Sequence, residues 1–300
     1  MRRLLLAPAL LLLAGCSSDD GPTASSSRTT PYFQRLTNSM EVESSPRISP
    51  DGARIAYERA GGIRVMDIEA RTGFLVAPQG YRPSWTRDGA ALVFVRRDTD
   101  VGGLIHRLIK VTLASGALDT LSADSIDAYE PAVSPVDDRI VLRVLSRNSL
   151  TQSLRILGGA GQEIAVITKP GTWSDMTPSW TNDGEGVVFV RLEASGVQRL
   201  MYVPAMSGNQ PSAANAAGDK VADPIVDSQG RVYFSKGGSI VTSEIATAPR
   251  TVIEGPGFAL SPTLSNDRTK LVFTTDRVGN RELWMLVDPN GINPLRTYGY

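Results

Sequence analysis

One cysteine and one histidine are all that 300 residues contain of two residue types much used in metal and redox chemistry. A single Cys excludes an internal disulfide or a multi-thiolate zinc site, and a single His excludes any centre that needs two or three imidazoles. Charge of one sign is also missing, with 31 Lys and Arg against 31 Asp and Glu and a formal net charge of +0. Without an excess of clustered cations there is nothing to neutralise a row of phosphates, so nucleic acid is excluded as a main partner. The apolar run from Leu4 to Ala14 is broken by Pro8 and is too short for a membrane-crossing helix of about 20 residues. No Ser sits in a G-x-S-x-G elbow followed by Asp and His, which removes α/β-hydrolase chemistry. Gly158-Gly159-Ala160-Gly161 lacks a following Lys-Ser or Lys-Thr and opens no helix, so it is no phosphate cradle. What is present is 41% hydrophobic residues, enough for one large domain or two small ones and incompatible with disorder throughout.

Arg2 and Arg3 before the apolar run have the layout of a signal peptide, without the rest of a Tat motif. Leu13-Ala14-Gly15-Cys16 resembles the bacterial lipobox. That resemblance implies that residues 1–15 are removed and that Cys16 becomes a lipid-bearing first residue, which carries a diacylglyceryl thioether and acyl chains of the palmitate type. Ser17, in the place where Asp would favour retention at the inner membrane, implies the outer membrane, facing the periplasm. Residues 16–31 hold hardly an apolar side chain; they are expected to form a flexible tether with a root-mean-square reach of roughly 20 Å.

Beyond the tether the chain repeats itself. PRISPDGARIAY from Pro46, PSWTRDGAALVF from Pro83, PAVSPVDDRIVL from Pro131, PSWTNDGEGVVF from Pro178, PIVDSQGRVYF from Pro224 and PTLSNDRTKLVF from Pro262 are six copies of one unit, their prolines 37, 48, 47, 46 and 38 residues apart. A β-type unit with a period near 40 to 50 residues points to a propeller, each repeat one blade of four strands. In the fourth copy Pro178 is expected to start a short inner strand, where its missing N–H joins no ladder. Asn182-Asp183-Gly184 makes a hairpin turn, because Asp and Asn tolerate turn geometry and Gly takes a positive φ. Val187 to Val190 then suits a strand buried on both faces, and Leu200 to Val203 a third strand. The third copy has Val136-Asp137-Asp138 in place of Asp-Gly, the fifth has Gln229 where Asp is expected, and the sixth has Arg268 in place of Gly.

The unit P-x-W-[ST]-x-D-G, followed by an aliphatic-aliphatic-aromatic strand and V-x-D, resembles the repeat of the TolB-like six-bladed β-propellers, and it covers Pro46 to the C-terminus. The resemblance implies an all-β fold, a six-bladed β-propeller of four-stranded antiparallel blades over residues 32–300. Arg35-Leu36-Thr37 resembles the outer-strand ending of such repeats and is expected to join the last blade and close the ring, with Pro294 to Tyr298 as a competitor for that role. The family's namesake carries a separate α/β domain before its propeller and is soluble in the periplasm. There is no room for such a domain between Cys16 and Pro46, and this chain carries a segment that resembles a lipobox.

The candidate chemistry is thin. Asp51, Asp88, Asp183 and Asp267 recur at the same turn of different blades, so they lie around the ring as turn formers. His106 falls inside an apolar strand with no second His or Cys to complete a site, and is read as structural. Trp85 and Trp180 occupy equivalent positions and are read as packing between blades; Trp284, alternating with apolar residues, is read as core. Loops leading into the inner strands gather at one mouth of the channel. There the sequence places Tyr81, Arg82, Tyr129, Glu130, Trp173, Asp175, Met176, Asp223 and Phe258, several of them of the types enriched at the centres of protein interfaces. The expected function is a non-enzymatic, lipid-anchored, monomeric platform for an envelope protein or lipoprotein, with no cofactor, metal or catalytic residue assigned. Two alternatives stay open. One is a metal-dependent propeller enzyme of the lactonase or sugar-processing type, which requires Glu130, Asp175 and Asp223 to converge on one point; the other is a module that binds a glycan or peptide.

Overall fold

The computed structural model describes residues 30–147, 151–206, 208–218, 220–244 and 247–300. The expected signal segment, Cys16 and the tether up to residue 29 lie outside the described residues. Strand β1 (Tyr32–Arg35) precedes the first copy of the repeat. Blade 1 is β2 (Glu43–Ile48), β3 (Arg54–Arg59), β4 (Gly62–Asp67) and β5 (Gly73–Ala77). Blade 2 is β6 (Gly80–Trp85), β7 (Ala91–Asp100), β8 (Gly103–Thr112) and β9 (Leu118–Thr120). Blade 3 is β10 (Ile126–Val133), β11 (Ile140–Ser146), β12 (Gln152–Leu157) and β13 (Glu163–Val166). Blade 4 is β14 (Ser174–Trp180), β15 (Gly186–Leu192), β16 (Gln198–Pro204) and β17 (Ser212–Gly218). Blade 5 is β18 (Val221–Val226), β19 (Val232–Lys236), β20 (Ser239–Ser243) and β21 (Arg250–Glu254). Blade 6 is β22 (Ala259–Leu264), β23 (Lys270–Thr275) and β24 (Glu282–Val287), followed by the short β25 (Tyr298–Gly299).

The first strand of each blade neighbours that of the next, β2 to β6, β10, β14, β18, β22 and back to β2, so the ring is closed around a central channel. Closure follows the expected route: β1 pairs antiparallel with β24 and becomes the outer strand of blade 6. The C-terminal segment goes elsewhere, with β25 adding a parallel edge to β21 of blade 5. Pairing of Tyr32 with Val287, which itself pairs with Lys270 just past the Asn266–Arg268 turn, puts the start of β1 on the face that carries the hairpin turns. We name this the turn face and the opposite one the inlet face.

The core is six apolar clusters, each holding residues of two adjacent blades. Val141, Leu154 and Ile156 of blade 3 pack on Trp180, Val187 and Phe189 of blade 4, and the other five interfaces repeat the arrangement. This is why the second strands read as unbroken apolar runs: both of their faces are covered. The repeat tryptophans are tied across the same seams. Trp85 Nε1 donates to the Arg47 carbonyl at 2.8 Å and Trp180 Nε1 to the Ala132 carbonyl at 2.9 Å, while Arg54 and Arg139 each lie 4.8 Å over the corresponding ring. Trp284 is only partly buried, with Arg277 4.7 Å over its ring. The turn aspartates act locally. Asp51, Asp88, Asp183 and Asp267 each accept from the Ser or Thr two residues earlier and from the N–H two residues later. Where the sixth turn lacks its Gly, Arg268 adopts the left-handed φ of 61° itself, braced by its bond to the Ile292 carbonyl.

Candidate functional site: the channel and its inlet mouth

The repeat proline does not begin the inner strand. In blade 4 the strand starts at Ser174, and Pro178 falls in its middle, beside a bulge. Every inner strand has the same break: two residues, the proline and the one before it, stand opposite a single residue of the second strand. That single residue is Tyr57, Phe94, Leu142, Phe189, Phe234 or Phe273, the end of each apolar triplet, and all six are buried. A bulge is one of the few places in a sheet where Pro costs no ladder bond. As a result Tyr81, Arg82, Tyr129, Glu130, Asp175, Met176 and Asp223 are strand residues rather than the loop residues expected; only Trp173 and Phe258 precede their strands.

The residue before each proline takes a left-handed backbone: Ser45 (φ 51°), Arg82 (54°), Glu130 (51°), Thr177 (47°), Asp223 (49°) and Ser261 (52°). This region is costly for a residue with a Cβ and recurs where surrounding structure enforces it. The six form one turn of residues around the neck of the channel. Arg82, in blade 2, reaches across to Asp223, three blades away and so on the opposite wall, with Nη1 2.8 Å from Oδ1. Asp223 Oδ2 accepts the Ser261 hydroxyl at 2.6 Å. Arg82 N donates to Glu58 Oε1 at 2.8 Å. Glu130 Oε2 accepts from Thr177 N at 2.9 Å and from Arg143 Nε at 3.2 Å. Burial alone would push the Asp223 carboxyl up, but Arg82, the Ser261 hydroxyl and the field of Arg47 outweigh it and hold the group below its ordinary value. Asp223 in turn raises Arg82, so the pair stays charged. Little free space remains at this level, about 40 Å³. On the turn side the channel widens into a funnel of about 180 Å³ bordered by Arg47, Ser84, Ser179, Asn182, Asp227 and Asn266.

Above the neck, on the inlet face, arginines stack on aromatic rings. Arg143 lies 4.4 Å over Tyr129, and Arg191 lies 4.5 Å over Trp173 while holding both oxygens of Asp175 at 2.7 and 2.8 Å. His106, carried on the long β7–β8 hairpin, packs 4.7 Å from Tyr129 and 6.0 Å from Tyr81. Burial lowers its pKa, against the pull of Asp127. Burial likewise raises Tyr81 to about 12. Trp173 is 37% exposed and Phe258 47%, whereas Met176 is partly buried against the seam between blades 4 and 5. Arg82, Glu130 and Asp223 therefore meet at the neck, Tyr81 and Tyr129 share the His106 cluster, Trp173 and Asp175 share Arg191, and Phe258 stands apart, its N–H donating to Asp276 at 2.7 Å. Each of the three proposed carboxylate ligands has its own arginine. Among the described residues no three His, Cys, Asp or Glu side chains are grouped to hold a metal ion. Sequence reasoning passed over Ser45, Thr177, Ser261, Glu58 and Arg47; position next to a repeat proline marks four of these, and Glu58, which follows a second-strand aromatic residue, has no such mark.

No protein-family model matches this sequence, and no curated protein matches it. Solved structures do match the fold. TolB of Acinetobacter baumannii superposes with a TM-score of 0.61 at 12% identity, over 81% of this chain and 65% of that one. A gluconolactonase of Xanthomonas campestris gives 0.64 at 13% identity, over 86% of this chain and 89% of that one. An oligogalacturonate lyase of Vibrio parahaemolyticus gives 0.59 at 13% identity, over 86% and 81%. At such identities the likeness is one of fold, and it extends to TolB and to enzymes alike.

Proposed function

We propose that the protein is a non-enzymatic platform that presents the inlet face of its propeller to an envelope protein or lipoprotein, as a monomer anchored through lipid on Cys16 at the outer membrane, facing the periplasm. The observation that carries this reading is the commitment of the mouth carboxylates. Glu130, Asp175 and Asp223 are each bonded to Arg143, Arg191 or Arg82, so a cation or a sugar ring would have to displace an arginine before meeting an oxygen. What stays available on that face is aromatic and guanidinium surface on a rigid ring, with Trp173 and Phe258 exposed, and these residue types make interface anchors. The direction of the chain supports the same reading. Since β1 begins on the turn face, a tether from Cys16 joins the propeller on the side opposite the inlet face and leaves that face uncovered. The TolB-like fold adds an analogy to a protein of the same envelope.

The test is crosslinking in cells followed by pull-down of the full chain, beside a variant carrying Tyr129→Ala, Glu130→Arg and Trp173→Ala. Capture of one or a few envelope proteins by the natural chain and their loss in the variant is the expected result. Equal capture by both would remove the inlet mouth as the docking surface. Absence of any specific capture, together with lactone or oligosaccharide turnover by the purified chain, would transfer the assignment to the enzyme class.

A further inference from the structure

The far end of the channel carries a charge that the platform reading does not use. At the position after the repeat proline the six blades have Arg47, Ser84, Ala132, Ser179, Ile225 and Thr263, so Arg47 alone brings a long charged side chain to this level. It borders both the neck and the turn-side funnel. Its hydrogen bond within the protein runs from Nη1 to the carbonyl of its own neighbour Pro46 at 2.8 Å. A guanidinium has five N–H donors, and among the described residues no carboxylate in contact answers the rest. Asp223, the nearest acid in charge terms, is already taken by Arg82 and Ser261. Glu58 accepts from Ser44 and from Arg82 N. Asp227, on the funnel wall, faces Arg268 Nε at 3.1 Å. Burial makes the cation costly where it stands, and lowers its pKa accordingly.

We infer that the funnel binds a small hydroxylated monocarboxylate, with the Arg47 guanidinium on the carboxylate. Charge limits the ligand to one negative group, because the arginines facing Asp223 and Asp227 are matched and, among the described residues that line the funnel, Arg47 supplies the unmatched cation. Size limits it as well: about 180 Å³ lies below the range of about 300–1,000 Å³ usual for pockets that take drug-sized ligands. Planar two-point bonding from a guanidinium suits a carboxylate, and the Ser179 hydroxyl, the Asn182 amide and the amide oxygen of Asn266, whose Nδ2 donates to the Pro50 carbonyl, suit hydroxyl groups at the funnel wall. With the neck closed by Arg82 and Asp223, such a ligand enters and leaves through the turn face. This site goes beyond the platform reading and does not depend on it.

The experiment is isothermal titration of the full chain with D-glucuronate, with D-glucose and inorganic phosphate as comparison probes. The expected result is saturable binding of D-glucuronate, no binding of D-glucose, and an affinity at least about tenfold lower in Arg47→Gln, the loss of a charge-assisted pair. Ser179→Phe is a second variant that fills the funnel and leaves Arg47 in place; it is expected to abolish binding with an unchanged melting curve, and it decides the matter should Arg47→Gln fail to fold. No saturable binding of D-glucuronate, equal binding by Ser179→Phe, or equal binding by a folded Arg47→Gln would overturn the proposal. So would D-glucose binding as well as D-glucuronate, or phosphate binding in preference to it.

Discussion

Replacing Asp223 with Asn removes one negative charge from the neck and little else, since the amide oxygen can still accept the Ser261 hydroxyl. The cost falls on Arg82, left across the channel without its partner. Breaking a buried ion pair from one side costs about 3–5 kcal/mol. Arg82 is 31% exposed and Asp223 10%, and Glu130 and Glu58 also act on the cation, so about 2 kcal/mol is the fitting figure for Asp223→Asn. For a chain of this size that corresponds to a fall in Tm of roughly 3–4 °C. Arg82→Gln should cost a similar amount, and the double variant less than the sum of the two, with a coupling of about 1–2 kcal/mol. Urea melts of the four proteins, followed by circular dichroism, close the cycle. A sign follows for pH. The folded Asp223 carboxyl lies below its unfolded value, so the stability it contributes is complete above that unfolded value and is lost as pH falls through the folded one. The natural chain should therefore lose more stability than Asp223→Asn on strong acidification. Single effects under about 0.5 kcal/mol, or strict additivity, would refute the cross-channel bond as a structural tie.

Glu43 has the opposite sign. It is fully buried beside Glu282, and burial raises its carboxyl despite Thr37 and Arg59. The stability linked to it is complete below the unfolded value and lost as pH rises through the folded one, so Glu43→Gln should be more stable than the natural chain in urea melts at pH 7.5, with the gap closing at pH 4. Trp180→Phe and Trp85→Phe each remove one indole bond to a carbonyl of the preceding blade, and each should cost about 1–2 kcal/mol by denaturant melts. Gly184 and Gly230 both have positive φ, but a Cβ on Gly184 meets the Val136 side chain while one on Gly230 meets nothing. Gly230→Ala should cost about 1 kcal/mol, and Gly184→Ala clearly more, read as Tm in parallel scans.

Blade number and order were legible because the repeat writes its turn chemistry openly: Asp51-Gly52, Asp88-Gly89 and Asp183-Gly184 flanked by apolar triplets admit few other readings. Arg35-Leu36-Thr37 likewise marked the closing strand. Pro178 misled, since a proline is tolerated both at a strand start and at a bulge, and only the packing of Phe189 opposite it distinguishes the two. The neck was illegible for a related reason. A left-handed backbone is usually signalled by Gly, and here Ser, Arg, Glu, Thr, Asp and Ser adopt it under the constraint of the sheet. The partnership of Arg82 with Asp223 spans 141 positions and follows only from closure of a six-membered ring that places the second and fifth members opposite each other. The uncommitted Arg47 was hidden in the same way, because a lone Arg after Pro46 shows no lack of partner until the channel around it is built.

The register of β1 also decides how the molecule bears a load. Tension on the chain ahead of Thr30, directed away from the turn face, runs along β1 rather than across it. The pairings of Tyr32, Phe33, Gln34 and Arg35 with Val287, Leu286, Met285 and Trp284 are then strained together in shear rather than opened one after another like a zip. Arg35, at the far end of this strand, is bolted to Glu282 by two bonds of 2.5 Å, and Phe33 is wedged between Phe273 and Tyr300. The strand that completes the ring is thus also its mechanical clasp. A propeller drawn by its leading end would resist extraction of that strand until the whole set of pairings gave way at once.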